Sequence, residues 1–275
     1  MLAGRLIIRN TADFRNFCDS DFRPFPHNQP KRLYFEDCVI DGPLSTDNNF
    51  EIHLQRDQRV VFNNVRFDNT IVDITGEGEI CFNDCEFNGS VSVYVDPNHV
   101  SFSKCRFHLQ RRSGYLVAAY DIRNRSVQFT DCRFTDFHKT CGTYELFTYN
   151  AITVARYERC SFASFDNLIF ATSFVRAVEV VGCRFSSCND IYRYYDADKN
   201  CSFKDSTFNR CIFVCIYDND RKKHERFENC VFDNESKFVI QGMYANQPPR
   251  RVYRPSAYFR SREFLTNDRR IMRVI

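Results

Sequence analysis

Tryptophan is absent from these 275 residues, and the six histidines are scattered at positions 27, 53, 99, 108, 138 and 224. Without tryptophan the chain lacks the commonest aromatic platform for a sugar ring. No stretch approaches the roughly 20 apolar residues that a membrane-spanning helix requires. Near the start, Arg5 and Arg9 interrupt the apolar run and no small-residue cleavage site follows, so the segment does not read as a secretory leader. With no export route visible, the 14 cysteines point to a reducing, cytoplasmic setting and to free thiols.

What the chain has in abundance is one repeated phrase. Val127-Gln-Phe-Thr-Asp-Cys-Arg-Phe134 reduces to the frame Phe-x-x-Cys-x-Phe, usually with Asp or Asn before the Cys. Nine copies are centred on Cys38, Val65, Cys85, Cys105, Cys132, Cys160, Cys183, Ser206 and Cys230, at intervals of 20 to 28 residues. The position three before each centre holds Phe35, Phe62, Phe82, Phe102, Phe129, Tyr157, Val180, Phe203 and Phe227. The position two after it holds Ile40, Phe67, Phe87, Phe107, Phe134, Phe162, Phe185, Phe208 and Phe232. Self-similarity at this period is the mark of a solenoid.

The unit folds in one economical way. A run such as Val100-Ser-Phe102 alternates apolar and polar residues, as a half-buried strand does. The step of three from Phe to Cys breaks that alternation and forces a bend. Asp37, Asn64, Asp84, Asp131, Asp205 and Asn229 stand at the bend, and Asp and Asn tolerate the left-handed conformation that a tight corner needs. Cys-x-Phe then resumes alternation on the next strand, and a second turn such as Asn88-Gly89 leads into a further strand, Val91–Val95. A unit this short has no room for a helix. The expectation is therefore an all-β, single-stranded parallel β-helix of about nine coils, stacked at about 4.8 Å. Phe lies over Phe, and Cys fills the inner corner, where a larger side chain would clash. Stacked cysteines on adjacent coils would be close enough that disulfides stay open as an alternative. Cys81 and Cys85 have a spacing that invites a metal, but Cys85 belongs to the core column; no metal or cofactor is expected.

These Phe-x-(Asn/Asp)-Cys-x-Phe units, over roughly residues 33 to 240, resemble the right-handed parallel β-helix repeat proteins of the pectin lyase-like superfamily. The five-residue step from Phe129 to Phe134 is also similar to a pentapeptide-repeat solenoid. That architecture keeps a strict coil of 20, which holds here only from Val65 to Cys105, so the larger irregular β-helix is preferred. The resemblance implies polysaccharide lyase or hydrolase chemistry as one use of the fold. The superfamily's Asn-Thr-Asp, Asp-Asp and Gly-His-Gly motifs are absent, however, and the histidines form no column. No catalytic residue is assigned. Irregular Phe/Cys coils also resemble non-enzymatic β-helix proteins of large DNA viruses, which implies a structural or assembly role, such as a minor capsid or other virion component.

Outside the repeat, residues 1–32 read as an N-terminal cap. Leu6-Ile-Ile8 offers a strand, Thr11–Phe17 has helical spacing of Phe14 and Phe17, and Arg23–Pro26 reads as a loop. Residues 33–247 form the solenoid. Its longer coils place extra residues in loops at 108–114, 137–143 and 217–224, and Ile191–Tyr195 adds outward aromatics. Residues 248–275 form a basic arm with eight arginines against Glu263 and Asp268, a net +6, which leaves −3 on the rest of the chain. Interleaved aromatics set it apart from a disordered charged tail. Arg250, Arg251, Tyr253, Arg254, Tyr258, Phe259, Arg260 and Arg262 are the expected partner-binding residues. The arginines suit carboxylates on a neighbouring protein, and the aromatics suit interface anchors. Two other readings stay open: the arm folds back to cover the last coil, or it binds nucleic acid through phosphate contacts and stacking. The acidic balance of the body argues against a broad nucleic-acid surface.

Overall fold

The computed structural model describes residues 6–8, 32–41, 50–54, 56, 58–68, 71–89, 92–95, 99–109, 114–118, 125–136, 144–148, 152–165, 168–169, 177–189, 191, 200–216, 226–241, 251–257 and 272–274. Among them the chain is all β, a parallel β-solenoid built from stacked sheets. The first sheet has ten strands: Leu6–Ile8, Arg32–Glu36, Arg59–Asn63, Glu79–Asn83, His99–Ser103, Arg125–Thr130, Ile152–Glu158, Ala177–Val181, Asn200–Lys204 and Arg226–Glu228. The second also has ten: Val39–Asp41, Arg66–Asp68, Glu86–Gly89, Arg106–Leu109, Arg133–Asp136, Ser161–Ala163, Arg184–Ser186, Thr207–Asn209, Cys230–Phe232 and Met272–Val274. A third sheet of six runs from Phe50–Leu54 to Leu168–Ile169.

The coil count differs from expectation. Nine Phe/Cys corners are present, but the six strands of the third sheet are separated by only five full turns. Beyond them the third side passes to a separate three-stranded sheet of Ile212–Ile216, Lys237–Gln241 and Arg251–Tyr253. Corner and coil are thus different units: one corner can stay in register while the opposite side of the coil changes sheets.

The corner explains the register. All six Asp and Asn expected at the bend have positive φ, between 49° and 55°, and Lys104, Arg159 and Gly182 complete the column. The left-handed residue donates its N–H to the next coil, as Asp84 does to the Ser103 carbonyl at 2.9 Å. The residue after the centre donates backwards, as Arg106 does to the Cys85 carbonyl at 2.8 Å. Every left-handed residue of the column from Asp37 to Asp205 donates forwards in this way, and each bond ties two coils. Elsewhere Gly76 turns at φ +99°, where a Cβ would sit 1.9 Å from the Leu54 carbonyl oxygen.

Two aromatic columns fill the interior. Phe62, Phe82, Phe102 and Phe129 stack at centroid separations of 4.6–4.8 Å, and Phe87, Phe107, Phe134 and Phe162 stack at 4.6–4.7 Å. The columns meet edge to face, as Phe129 does with Phe134 at 5.4 Å and 67°. Both geometries favour the ring quadrupole. The centre cysteines are buried between them. Their role is more than space filling. From Cys85 onward each centre thiol lies within donating reach of two carbonyls, that of the residue stacked one coil earlier and that of the residue two before it. For Cys105 these are Phe82 at 3.4 Å and Ser103 at 3.5 Å.

Leu6–Ile8 pairs in parallel with Leu33–Phe35, so the first expected strand extends the ladder at its start. The helix expected over residues 11–17, the loops at 23–26, 137–143 and 217–224 and the aromatics at 192–195 lie outside the described residues; Ile191 is buried.

Candidate interaction surface

The expected arm residues divide into those the structure describes and those it does not. Arg251–Tyr253 is an edge strand, antiparallel to Lys237–Gln241, with Tyr253 opposite Phe238 and Arg251 opposite Ile240. Tyr253 is half-buried and packs against the core, Arg254 is exposed, and Pro255 is buried. A turn follows, closed by the Ala257 N–H on the Arg254 carbonyl at 3.0 Å. Met272–Val274 pairs in parallel with Cys230–Phe232, outermost in the second sheet. The arm is therefore fastened to the final coil near both its ends, which is the geometry of a cover for an open edge. Arg250, Tyr258, Phe259, Arg260 and Arg262 lie outside the described residues.

A second surface was not anticipated. Residues on successive coils pair across the first sheet with opposite charge. Lys204 meets Glu228 at 3.1 Å, Arg156 meets Glu179 at 3.5 Å, and Arg59 meets Glu79 at 3.8 Å. At the corner, Arg159 forks onto Asp131 at 2.8 and 3.0 Å, which holds that carboxyl below its ordinary range. The second sheet departs from this. One outward column reads, coil by coil, Arg66, Glu86, Arg106, Arg133, Ser161, Arg184 and Thr207. Arg133 lies directly between Arg106 and Ser161, and Arg184 between Ser161 and Thr207. Both are exposed, with no carboxylate beside them in the column. Like charges directly opposite one another destabilise a sheet. The signal was in the repeat: the residue after the centre is Arg in Cys105-Arg-Phe, Cys132-Arg-Phe and Cys183-Arg-Phe.

The chemistry available elsewhere is limited. Glu86, His108 and Thr135 form a carboxylate–imidazole–hydroxyl chain across three coils, at 3.3 and 3.1 Å. The Thr135 hydroxyl donates its proton to the Phe107 carbonyl at 3.3 Å, so the imidazole does not draw it off and no activated nucleophile results. Burial pushes the Cys38 and Cys230 thiols up to about 11 and raises those of Cys105 and Cys132. A protonated thiol is a poor nucleophile. Hydrogen bonds from the neighbouring thiols lower Cys160 and Cys211 instead, but both are buried away from any reactant. Cys85 faces inward, whereas Cys81 is half-exposed and accepts from Arg59 at 3.0 Å, so the two do not share a site. Among the described residues no group of three or more His, Cys, Asp or Glu is placed to hold a metal ion. No helix there is long and apolar enough to cross a membrane.

No protein-family model matches the chain, and neither a curated protein nor a solved structure proved similar to it.

Proposed function

We propose that this chain is a structural or assembly protein: a rigid β-solenoid that neighbouring proteins bind through its charged surfaces and its Arg/aromatic arm. The observation that supports this best is the filled interior of the described coils. Stacked rings and corner thiols occupy the axis of the solenoid, and the cross-coil bonds at each corner fix its pitch. A rod of that kind suits assembly, where distances between binding surfaces must be held. The finer reading, a minor capsid or other virion component, rests on the resemblance of the Phe/Cys coils to viral β-helix proteins. Partners are proteins under this reading, with no cofactor.

The test is photo-cross-linking from the arm. A benzoylphenylalanine placed at Phe259 of the full chain should give discrete adducts with other proteins in cells that make it. Cross-links only to the chain's own last coil, near Phe238, would make the arm a cap and remove its docking role.

A further inference from the structure

The unpaired arginines have complementary carboxylates on the same molecule, at the same spacing. Arg133 and Arg184 are two coils apart on the second sheet. Asp37 and Asp84 are also two coils apart, on the exposed corner beside that sheet. Coils repeat at about 4.8 Å, so each pair spans about 10 Å along the axis. The wider charge distribution has the same polarity. Residues 1–100 carry 9 Lys and Arg against 16 Asp and Glu, a net −7, whereas residues 101–275 carry 29 against 19, a net +10. The arm supplies +6 of that +10, and residues 101–247 alone carry 21 against 17, a net +4, so the repeat itself divides in the same sense.

We infer that the second sheet and its corner are the interface for a second copy of this chain, laid antiparallel about a two-fold axis near the coil of Cys105. Such an axis sends the coils of Arg133 and Arg184 onto the partner's coils of Asp84 and Asp37, and the reverse. A two-fold interface must be self-complementary in this way. Identical pitch keeps every coil in step, which an unrelated acidic surface would match only by coincidence. Arginine suits the contact because its guanidinium forks onto a carboxylate. The first sheet pairs most of its outward charges across coils, the exposed Arg32 beside Arg59 being an exception. This inference rests on the reading of the chain as an assembly protein and supplies one partner, itself.

The experiment is a charge exchange on the full chain, followed by sedimentation velocity at about 0.05 M and about 0.5 M salt, where screening lengths differ about threefold. The parent chain should dimerise at low salt and dissociate at high salt. Arg133→Glu with Arg184→Glu should weaken the dimer by about tenfold or more, and Asp37→Lys with Asp84→Lys should do the same. Lys104 occupies the same corner, so lysine is accepted there. An equimolar mixture of the two variants should form the heterodimer, because every reversed contact then meets its opposite. Circular dichroism of each variant guards against misfolding, and an Arg133→Gln, Arg184→Gln chain replaces any that fails it. A parent chain that stays monomeric at low salt would overturn the inference, as would variants that dimerise unchanged or a mixture that fails to associate. Loss of nucleic-acid binding instead of self-association would overturn it too. None of these outcomes bears on the arm, whose cross-links are read separately.

Discussion

The solenoid turns at two kinds of corner, and they are not written alike. The first, centred on Cys38 through Cys230, runs the length of the described coils. A second begins only late in the chain, at Phe165, Cys188, Cys211 and Ser236. Ser164, Ser187 and Arg210 precede the first three of these with φ of 62°, 53° and 51°, as Asp and Asn precede the first corner. The chemistry is copied as well. The Cys188 thiol donates to the Phe162 carbonyl at 3.5 Å, and the Ser236 hydroxyl lies 3.5 Å from that of Phe208, its single proton going to the Asp233 carboxylate. Both corners even make the same exception. Ser206 accepts the Cys183 N–H at 3.1 Å, and Ser236 accepts the Cys211 N–H at 3.1 Å. One local frame, an aromatic, two residues and a small buried donor, recurs at Cys188 and Cys211 as at the first corner, whereas Phe165 replaces the donor and Ser236 has Asp233 in place of the aromatic. Where it occurs twice per coil, the coil bends twice.

The largest effect expected from this comparison is at the residues that serve both corners. Phe208 lies two after Ser206 and three before Cys211. It stacks on Phe185 and Phe232, both at 4.8 Å, and meets Phe213 edge-on at 5.0 Å. Phe208→Ala should cost about 3–5 kcal/mol, measured by denaturant unfolding. A loss under about 1 kcal/mol would mean that the two corners do not share a wall.

The first corner was legible in the sequence because three apolar columns repeat in one register with Asp or Asn at the bend. The second was not, although Phe185-Ser-Ser-Cys188 and Phe208-Asn-Arg-Cys211 carry the same frame. Its bend residues are Ser and Arg, which announce no left-handed corner, and it opens on Phe165 rather than Cys. Two further features lay beyond pattern reading. The passage of the third side to a separate sheet depends on where loops fall, and loop sequences carry no register. Whether the arm docks or covers also turns on pairing: Tyr253 reads equally well as an interface anchor or as the neighbour of Phe238 that it is. The arginine column was visible, since Cys-Arg-Phe recurs, but its meaning came from register. Only alignment of coils shows that Arg133 faces Arg106 rather than a carboxylate.

A middle-sized effect tests whether the serines are equivalent. Both are fully buried and both accept a backbone N–H from the neighbouring coil. Alanine at either site leaves that donor without its partner, at about 1–3 kcal/mol. Ser206→Ala and Ser236→Ala should therefore lose similar amounts by thermal unfolding. A large loss at one site with none at the other would show that the later corner only imitates the geometry of the first. Ser236 has one additional tie, donating to Asp233 at 2.6 Å, so any inequality should favour a greater loss there.

The smallest effect concerns the bend itself, and here the comparison predicts a gain. Lys104 and Arg210 sit in the left-handed region at φ 55° and 51°, one in each corner. The left-handed conformation costs an ordinary L-residue about 1–2 kcal/mol, and asparagine is among the few that visit it readily. The corner's own choice elsewhere, Asn64 and Asn229 at φ 51° and 49°, shows that asparagine fits. Asn64 and Asn229 also donate across coils, to Asp37 at 2.8 Å and Asp205 at 2.6 Å. Placed at 104, asparagine would have Asp84 one coil before it in the same column and could make the equivalent bond. Lys104→Asn should stabilise the chain by about 0.5–1 kcal/mol, a gain of the size that relief of local strain allows. Arg210→Asn should gain less, because it gives up the contact of Arg210 with Asn209 at 3.3 Å and the loose approach to Glu235 at 4.0 Å. Denaturant midpoints of the two variants against the parent decide the matter. Stabilisation at 104 with none at 210 fits the two-corner account, whereas destabilisation at both would show that backbone strain does not limit either bend.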